Sequence, residues 1–411
     1  MQGIFGVLFL IIFAWLCSER RDQIDLRFLG IGLFAQFSLA FLFFQVPLIS
    51  DILMSLNFII VAIEAATLEG TRFLFGYLGG GSEPFEVSEG GYLYLFAFRV
   101  LPNVVVFCVL IAVLWYWKIL PKIVTGFGFL LRSVFKVSGA VGTSAAATLF
   151  LGMVETPMII RAYLTKLTRS EFFTVMTCGM STVAGSVMII YANTLSNIIP
   201  GAIGHIVVGS VLNIVGAIYV SRIIVPEDGT PTSSDKFEDL GYSSTMDAIT
   251  RGTQDGLKLA LNIGGMLLVI ISLVALVNGV LGLLEISGEP LSLQRMLGWL
   301  FSPLAWLIGV PWSEAHLAGN LMGSKIVLNE MIAFIELAAL GNDLSENSRL
   351  VLLYALCGFA NFGSLGILIG GLSTLVPERK VDYLSLAPKS LISGNVVTFI
   401  TASLVGLAIS I

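Results

Sequence analysis

Two stretches of this chain, Phe172 to Ser221 and Leu350 to Pro377, contain no Asp, Glu, Lys or Arg. Runs of that length leave a water-soluble fold nowhere to place a polar face, and they set the solvent for the rest of the argument. A membrane-crossing helix needs about 20 mostly apolar residues. In lipid, only structures that satisfy their own backbone can cross. The whole sequence agrees: of 411 residues, 56% are hydrophobic and only 12% charged, with mean hydropathy +0.93. The fold class predicted is an all-α polytopic membrane protein. Its eight spans fall near 2–18, 28–48, 93–117, 171–192, 199–221, 259–284, 350–376 and 390–410. Two further apolar stretches, 140–165 and 293–340, carry Gly, Pro or a charge in their middle and suit re-entrant hairpins better than full crossings.

Basic residues orient the chain, because loops rich in Lys and Arg stay on the cytoplasmic side. With the N-terminus outside, 17 of the 22 fall inside, from Arg20, Arg21 and Arg27 through Lys118, Arg169 and Lys258 to Lys389. Only Arg72, Arg295 and Arg349 fall outside. Arg99 and Lys325 lie within the membrane. An even number of spans then leaves the C-terminus outside as well. Hairpin one enters from the cytoplasm and hairpin two from outside, as an inverted repeat requires. The expected organisation is a set of spans one to three with an external loop (1–117), an interfacial helix and first repeat (118–223), and a cytoplasmic linker or interfacial helix (224–258). Span six (259–284) and a second repeat (285–411) complete it. A bacterial inner membrane is the expected location.

Each hairpin carries an acid, and each is followed about thirty residues on by a span interrupted by small polar residues. The first copy is LFLGMVETPMII with Glu155, then STVAGS at Ser181 to Ser186; the second is SKIVLNEMIAF with Glu330, then GFANFGS at Gly358 to Ser364. A carboxylate at membrane depth is costly and usually functional. Interrupted spans in corresponding positions of two halves point to a solute site near the bilayer midplane. Pro157 removes a backbone donor and turns the chain near Glu155. The functional reading makes Glu155 and Glu330 hydrogen-bond acceptors for a polar solute. The plainer reading has each cap its hairpin or pair with Arg161 or Lys325.

In the interrupted spans, Thr182, Gly185 and Ser186 and then Asn361, Gly363 and Ser364 supply hydroxyls, an amide and free backbone carbonyls. Those oxygens suit a hard cation, although small residues also serve helix packing. Phe359 beside Asn361 offers an aromatic face to a planar ring. His205 and His316 lack metal-ligand spacing, and Cys17, Cys108, Cys178 and Cys357 are scattered, so no cofactor beyond a coupling cation is expected. No strand-loop-lysine phosphate cradle surrounds Gly79 to Gly81, and no hydrolase string such as HExxH or GxSxG appears in a fitting context. Nucleic acid is not an expected partner.

These motifs resemble those of the concentrative nucleoside transporters in their eight-span bacterial form. The resemblance rests on PLAWLIGVPWSEAHLAGNLMGSKIVLNEMIAF with its G-x-K-x-x-x-N-E core at Gly323 to Glu330, on YALCGFANFGSLGILIGGL, and on GTSAAATLFLGMVETPMIIRAYL with STVAGS. It covers the chain from about residue 93 onward. It implies a homotrimer in which each protomer has a static scaffold of spans one, two, three and six and a transport part that slides as an elevator. By position, Glu330, Asn361 and Ser364 would hold ribose hydroxyls. Met153, Val154 and Glu155 would lie at the base, with Phe359 and Val187 in apolar contact. A sodium site would comprise Thr148, the Leu151 carbonyl, Thr182 and the Val183 carbonyl. Two departures stand out: Met153-Val154 replaces the Gln-Thr usual before the hairpin-one acid, and Thr148 stands where an Asn is frequent. The implied function is nucleoside import coupled to sodium, with proton coupling, or transport of another hydroxylated metabolite or a nucleobase, as alternatives.

Overall fold

The computed structural model describes residues 2–46, 62–63, 65–82, 84–85, 95–99, 101–227, 229–230, 232, 240–286 and 288–410. Of the stretch between spans two and three, residues 62–63, 65–82 and 84–85 are described and 65–75 are helical, while much of its acidic, Gly-rich end, expected as an external loop, lies outside the described residues. Helices α1 (Gln2–Leu16) and α2 (Leu26–Gln45) are followed by α3 (Leu101–Tyr116), which the turn Phe96–Arg99 precedes. Then come α4 (Ile119–Phe135), α5 (Gly139–Ala147), α6 (Glu155–Ile159) and α7 (Arg161–Leu164). Next are α8 (Arg169–Ser181), α9 (Gly185–Leu195), α10 (Ala202–Ile224) and α11 (Thr245–Leu281). The last six are α12 (Leu293–Leu307), α13 (Ala315–Val327), α14 (Glu330–Leu340), α15 (Glu346–Leu356), α16 (Phe362–Leu375) and α17 (Lys380–Ala408). Among the described residues the one strand pair is the short β1 (Glu285–Ile286) with β2 (Glu289–Pro290).

Among the described residues, four helical stretches are long and apolar enough to cross a bilayer: Leu26–Gln45, Ala97–Tyr116, Ala202–Ile224 and Pro377–Ala408. Spans four and seven are not among them because each is cut in two, at Thr182–Ala184 and at Cys357–Asn361, where the sequence places its small polar residues. Local chemistry fixes several starts. Thr168 and Glu171 form a reciprocal capping box on α8, and the Asn329 and Asn361 side chains accept from Ile332 N–H and Ser364 N–H at the starts of α14 and α16.

The order α4–α5–(α6, α7)–α8–α9–α10 recurs as α12–α13–α14–α15–α16–α17, so each half reads as helix, hairpin, broken span and long span. This corrects the hairpin expected at 293–340. Its first part, α12, is a helix running through Pro303, and the chain reverses only at Gly309, whose φ of 118° suits a residue without a side chain. Within 224–258, expected as a linker or interfacial helix, α11 begins at Thr245 under a Ser244 cap and runs on unbroken to Leu281.

Helix packing sorts differently from the grouping of spans one, two, three and six. In α11, Gly252 and Gly256 lie one turn apart against Val109 and Val105 of α3; a Cβ at Gly256 would come within 2.7 Å of the Val105 Cα. That small-xxx-small spacing lets α3 and α11 approach backbone to backbone. By contrast, α1 and α2 lie on the bundle of α10 and α17. Gln36 of α2, fully buried, donates to the Leu212 carbonyl (3.0 Å) and Thr401 (2.9 Å) and accepts from Tyr219 (2.6 Å). A buried amide held on three sides ties α2 to that bundle.

Candidate functional site

The two cut spans meet at their cuts. Phe359 N–H donates to the Thr182 carbonyl at 3.2 Å. Asn213 of α10 donates to the Ser181 and Cys357 carbonyls at 2.8 and 2.7 Å, and its own oxygen accepts from Thr401 at 2.5 Å. One side-chain amide thus caps the ends of both α8 and α15, groups that a helix terminus in lipid would otherwise leave unsatisfied. Asn395 donates to the Ala360 carbonyl at 2.9 Å and steadies the same break.

Beside this crossing lies a cavity of ≈ 560 Å³ into which both hairpins project. That is within the range of small-molecule sites, about 300–1,000 Å³. All eight residues expected to touch solute line it: Met153, Val154, Glu155, Val187, Glu330, Phe359, Asn361 and Ser364. The two acids therefore face one common space. The polar wall is built around Glu330, 6% exposed, whose carboxylate accepts from Tyr191 and Asn361, both at 2.7 Å. Asn361 in turn accepts from Ser364 N–H at 2.7 Å, so acid, amide and the start of α16 form one rigid row. Met153, Val187 and Phe359 give the apolar part of the lining.

Glu155 sits differently. It opens α6 and faces the cavity, its carboxylate folded over Gly152, where any side chain would collide with it. Neither acid forms the ion pair that the plainer reading allowed: among the described residues Glu155 and Arg161 make no salt bridge, and Lys325 donates instead to the Ala355 carbonyl (2.9 Å) and Thr398 (2.8 Å).

The four residues expected to hold sodium are all buried: Thr148, Leu151, Thr182 and Val183. The tip of hairpin one reaches the first break, with the Phe150 carbonyl against Gly185 and Met153 against Gly179. Thr148 donates its proton to the Ala145 carbonyl (2.6 Å) and Thr182 to the Cys178 carbonyl (2.8 Å). A hydroxyl that gives its proton to its own helix offers only lone pairs elsewhere, which suits a cation. The Ser186 side chain lies outside the described residues.

Residues 5–78 match the Na+ dependent nucleoside transporter N-terminus family, residues 97–197 a nucleoside recognition (gate) family, and residues 205–406 the Na+ dependent nucleoside transporter C-terminus family. The chain is 36% identical to the nucleoside permease NupC of Helicobacter pylori over 100% of its own length and 98% of the permease.

The chain belongs to the concentrative nucleoside transporter family.

Within that family it is also 33% identical to the uncharacterized transporter YutK of Bacillus subtilis, over 100% of this chain and 99% of that one. Mouse solute carrier family 28 member 3 is 31% identical over 82% of this chain and 49% of its own. The structure of CNTnw in an inward-facing substrate-bound state superposes with TM-score 0.90 at 35% identity, covering 99% of this chain and 98% of that chain. A CNTnw variant in an outward-facing state gives 0.91 at 34% identity, covering 100% and 97%. The protein is a multi-pass membrane transporter, and its relatives carry solutes.

Sequence reasoning missed two parts of the site. Tyr191 was hidden because nothing local announces its partner 139 residues away, although a phenol in a charge-free span must find one. Asp255, Lys258 and Asn262 of α11 form the far wall of the cavity, and no motif in the sequence turns them toward it.

Proposed function

We propose that this protein imports nucleosides across a bacterial inner membrane, driven by a cation gradient with sodium as the first choice. The observation that carries the reading is the row Tyr191–Glu330–Asn361–Ser364 facing Met153, Val187 and Phe359 across one cavity. A ribose has vicinal hydroxyls that match a fixed carboxylate and amide, and a base has a flat apolar face that matches Phe359. Glu330, Asn361 and Ser364 take the sugar. Met153, Val154 and Glu155 meet the base, and Val187 with Phe359 encloses it. Burial of the row means that a solute lacking those hydroxyls leaves polar groups unpaired, which penalises it strongly.

Sodium binds Thr148, the Leu151 carbonyl, Thr182 and the Val183 carbonyl, ordering the hairpin-one tip against the α8–α9 break before solute arrives. The cavity lies between the α11 face and the hairpin bundle, which supports an elevator in which the bundle slides past α3 and α11. In that division α1 and α2 travel with the bundle, since Gln36 binds them to it. Exposed leucines and valines on α11, including Leu261, Leu268 and Val280, give lipid and neighbouring protomers of a homotrimer an apolar surface. Both termini lie outside in this reading, following the distribution of basic residues.

A second reading rests on Glu155, which faces the cavity unpaired by any basic residue among those described: it takes a proton instead of sodium serving at Thr148. Uridine and adenosine uptake into proteoliposomes, with sodium and proton gradients imposed separately, decides between them. Uptake that neither gradient drives ends the coupling proposal. Failure of any ribonucleoside to compete with the transported solute would move the substrate to another hydroxylated metabolite or a nucleobase.

A further inference from the structure

The two broken spans share the Asn213 amide but are otherwise completed by different chemistry. In the second half, the first hairpin helix, α13, carries Lys325, a side chain with 0% exposure that takes no part in lining the cavity. Its ammonium donates to the Ala355 carbonyl at 2.9 Å and to Thr398 at 2.8 Å, and it stands 5.2 Å from the centre of the Phe399 ring. Ala355 is in the last turn of α15, just before the chain breaks at Cys357. A helix ends with partial negative charge on its unpaired carbonyls, so this ammonium lies where the break most needs a cation. The ring face and the hydroxyl supply part of the solvation that burial removes.

The corresponding place in the first half has no such group. Its first hairpin helix, α5, reads GAVGTSAAA, without a charge, and the end of α8 is met by the neutral donors Asn213 Nδ2 and Phe359 N–H. What hairpin one does bring to that break is oxygen: the Phe150 carbonyl lies against Gly185, and the reading above adds Thr148 and the Leu151 carbonyl. One break is therefore supplied with its own positive charge, and its counterpart is supplied with ligands for one.

We propose that the Lys325 ammonium is a tethered cation that plays at the α15–α16 break the role that the mobile coupling cation plays at the α8–α9 break. A tethered charge orders the second break in every state of the cycle, so only the first break depends on an ion from solution. Solute affinity is then gated by a single cation event. The coupling half of this statement rests on the reading above; the fixed-charge half does not.

The test compares Lys325→Ala, Lys325→Gln and Lys325→Arg, reconstituted and assayed for uridine uptake against sodium concentration. Truncation to Ala opens room for an ion and leaves the helix end without a charge. Its sodium activation should steepen, with the Hill coefficient rising from about 1 in the unmodified protein toward about 2, as expected when a second site must fill. Propylammonium in the medium should restore uptake at low sodium. Arg should keep the unmodified curve, and Gln should lose uptake. If Ala or Gln shows the unmodified curve, the proposal is overturned. If Ala does not assemble, assembly and uptake by Arg but not Gln support the proposal, and equal behaviour of the two overturns it. Absence of any gradient dependence in the unmodified protein would instead defeat the coupling reading, leaving the Arg–Gln comparison to judge the fixed charge alone.

Discussion

Glu330 and Glu155 occupy equivalent places, each opening the second arm of a hairpin, yet one is clamped and the other is loose. Glu330 is held by a phenol and an amide, both at 2.7 Å, behind an Asn329 cap; Glu155 lies over a glycine and faces the cavity. A clamped acceptor discriminates, because its geometry is fixed before solute arrives and mismatched solutes leave its remaining lone pairs unmet. Glu155 has no hydrogen bond to another side chain among the described residues, which leaves it available for the base contact or the proton of the readings proposed above. Duplication supplied two acids, and the surroundings made them different tools.

The largest effect expected is at the clamped acid. Glu330→Gln should lower uridine uptake efficiency by about 10- to 100-fold, since hydrogen bonds to a charged group contribute roughly 1.5–3 kcal/mol. Assembly, followed by size-exclusion chromatography, should not change. Uptake at the unmodified level would remove Glu330 from the sugar contact. Next comes the loose acid. Glu155→Gln should cost about tenfold or less through lost base contact, as one hydrogen bond allows, and should leave sodium activation intact. Loss of pH dependence together with coupling would transfer the coupling role to Glu155 and reverse the ranking of the two readings.

A third change sharpens the contrast between walls. Met153→Gln with Val154→Thr adds two hydrogen-bonding side chains beside Glu155, and should shift the adenosine-to-uridine competition ratio by roughly threefold to tenfold, the worth of about one net hydrogen bond. An unaltered ratio would show that the base does not lie there. The smallest effect lies outside the membrane. Glu19 accepts from Arg169 (2.8 Å) and Lys389 (2.7 Å), and chiefly the Arg169 hydrogen bond holds its carboxyl down to about 2, below the ordinary 4.5. With the folded value depressed, this stabilisation is present above about 4.5 and is lost as pH falls through about 2. Being partly solvated, the cluster contributes only about 0–1 kcal/mol. Glu19→Gln should therefore lower the unfolding midpoint slightly at pH 7, and the gap should close on acidification. A gap that persists at the acidic end would assign Glu19 a packing role.

Charge and punctuation made most of this legible. The acids, the amide Asn361 and the small polar breaks announce themselves because each is expensive in lipid, and all eight expected solute-contacting residues reached one cavity. Helix continuity was less legible. The sequence does not show that Gly252 and Gly256 serve close approach to α3, so nothing in it turns Asp255, Lys258 and Asn262 toward the cavity. Pro303 read as a hairpin break although α12 tolerates it, and the turn waited for Gly309. Tyr191 shows the remaining limit: a hydrogen bond across 139 residues leaves no local trace.

The Gln36–Thr401–Asn213 chain of hydrogen bonds runs from α2 to the carbonyl ends of both cut spans. A spectroscopic probe placed on the exposed side of α2 is therefore tied to the crossing itself. In the elevator proposed above, one distance from that probe to a second on α11 becomes a ruler for the stroke, read without disturbing a single atom of the cavity.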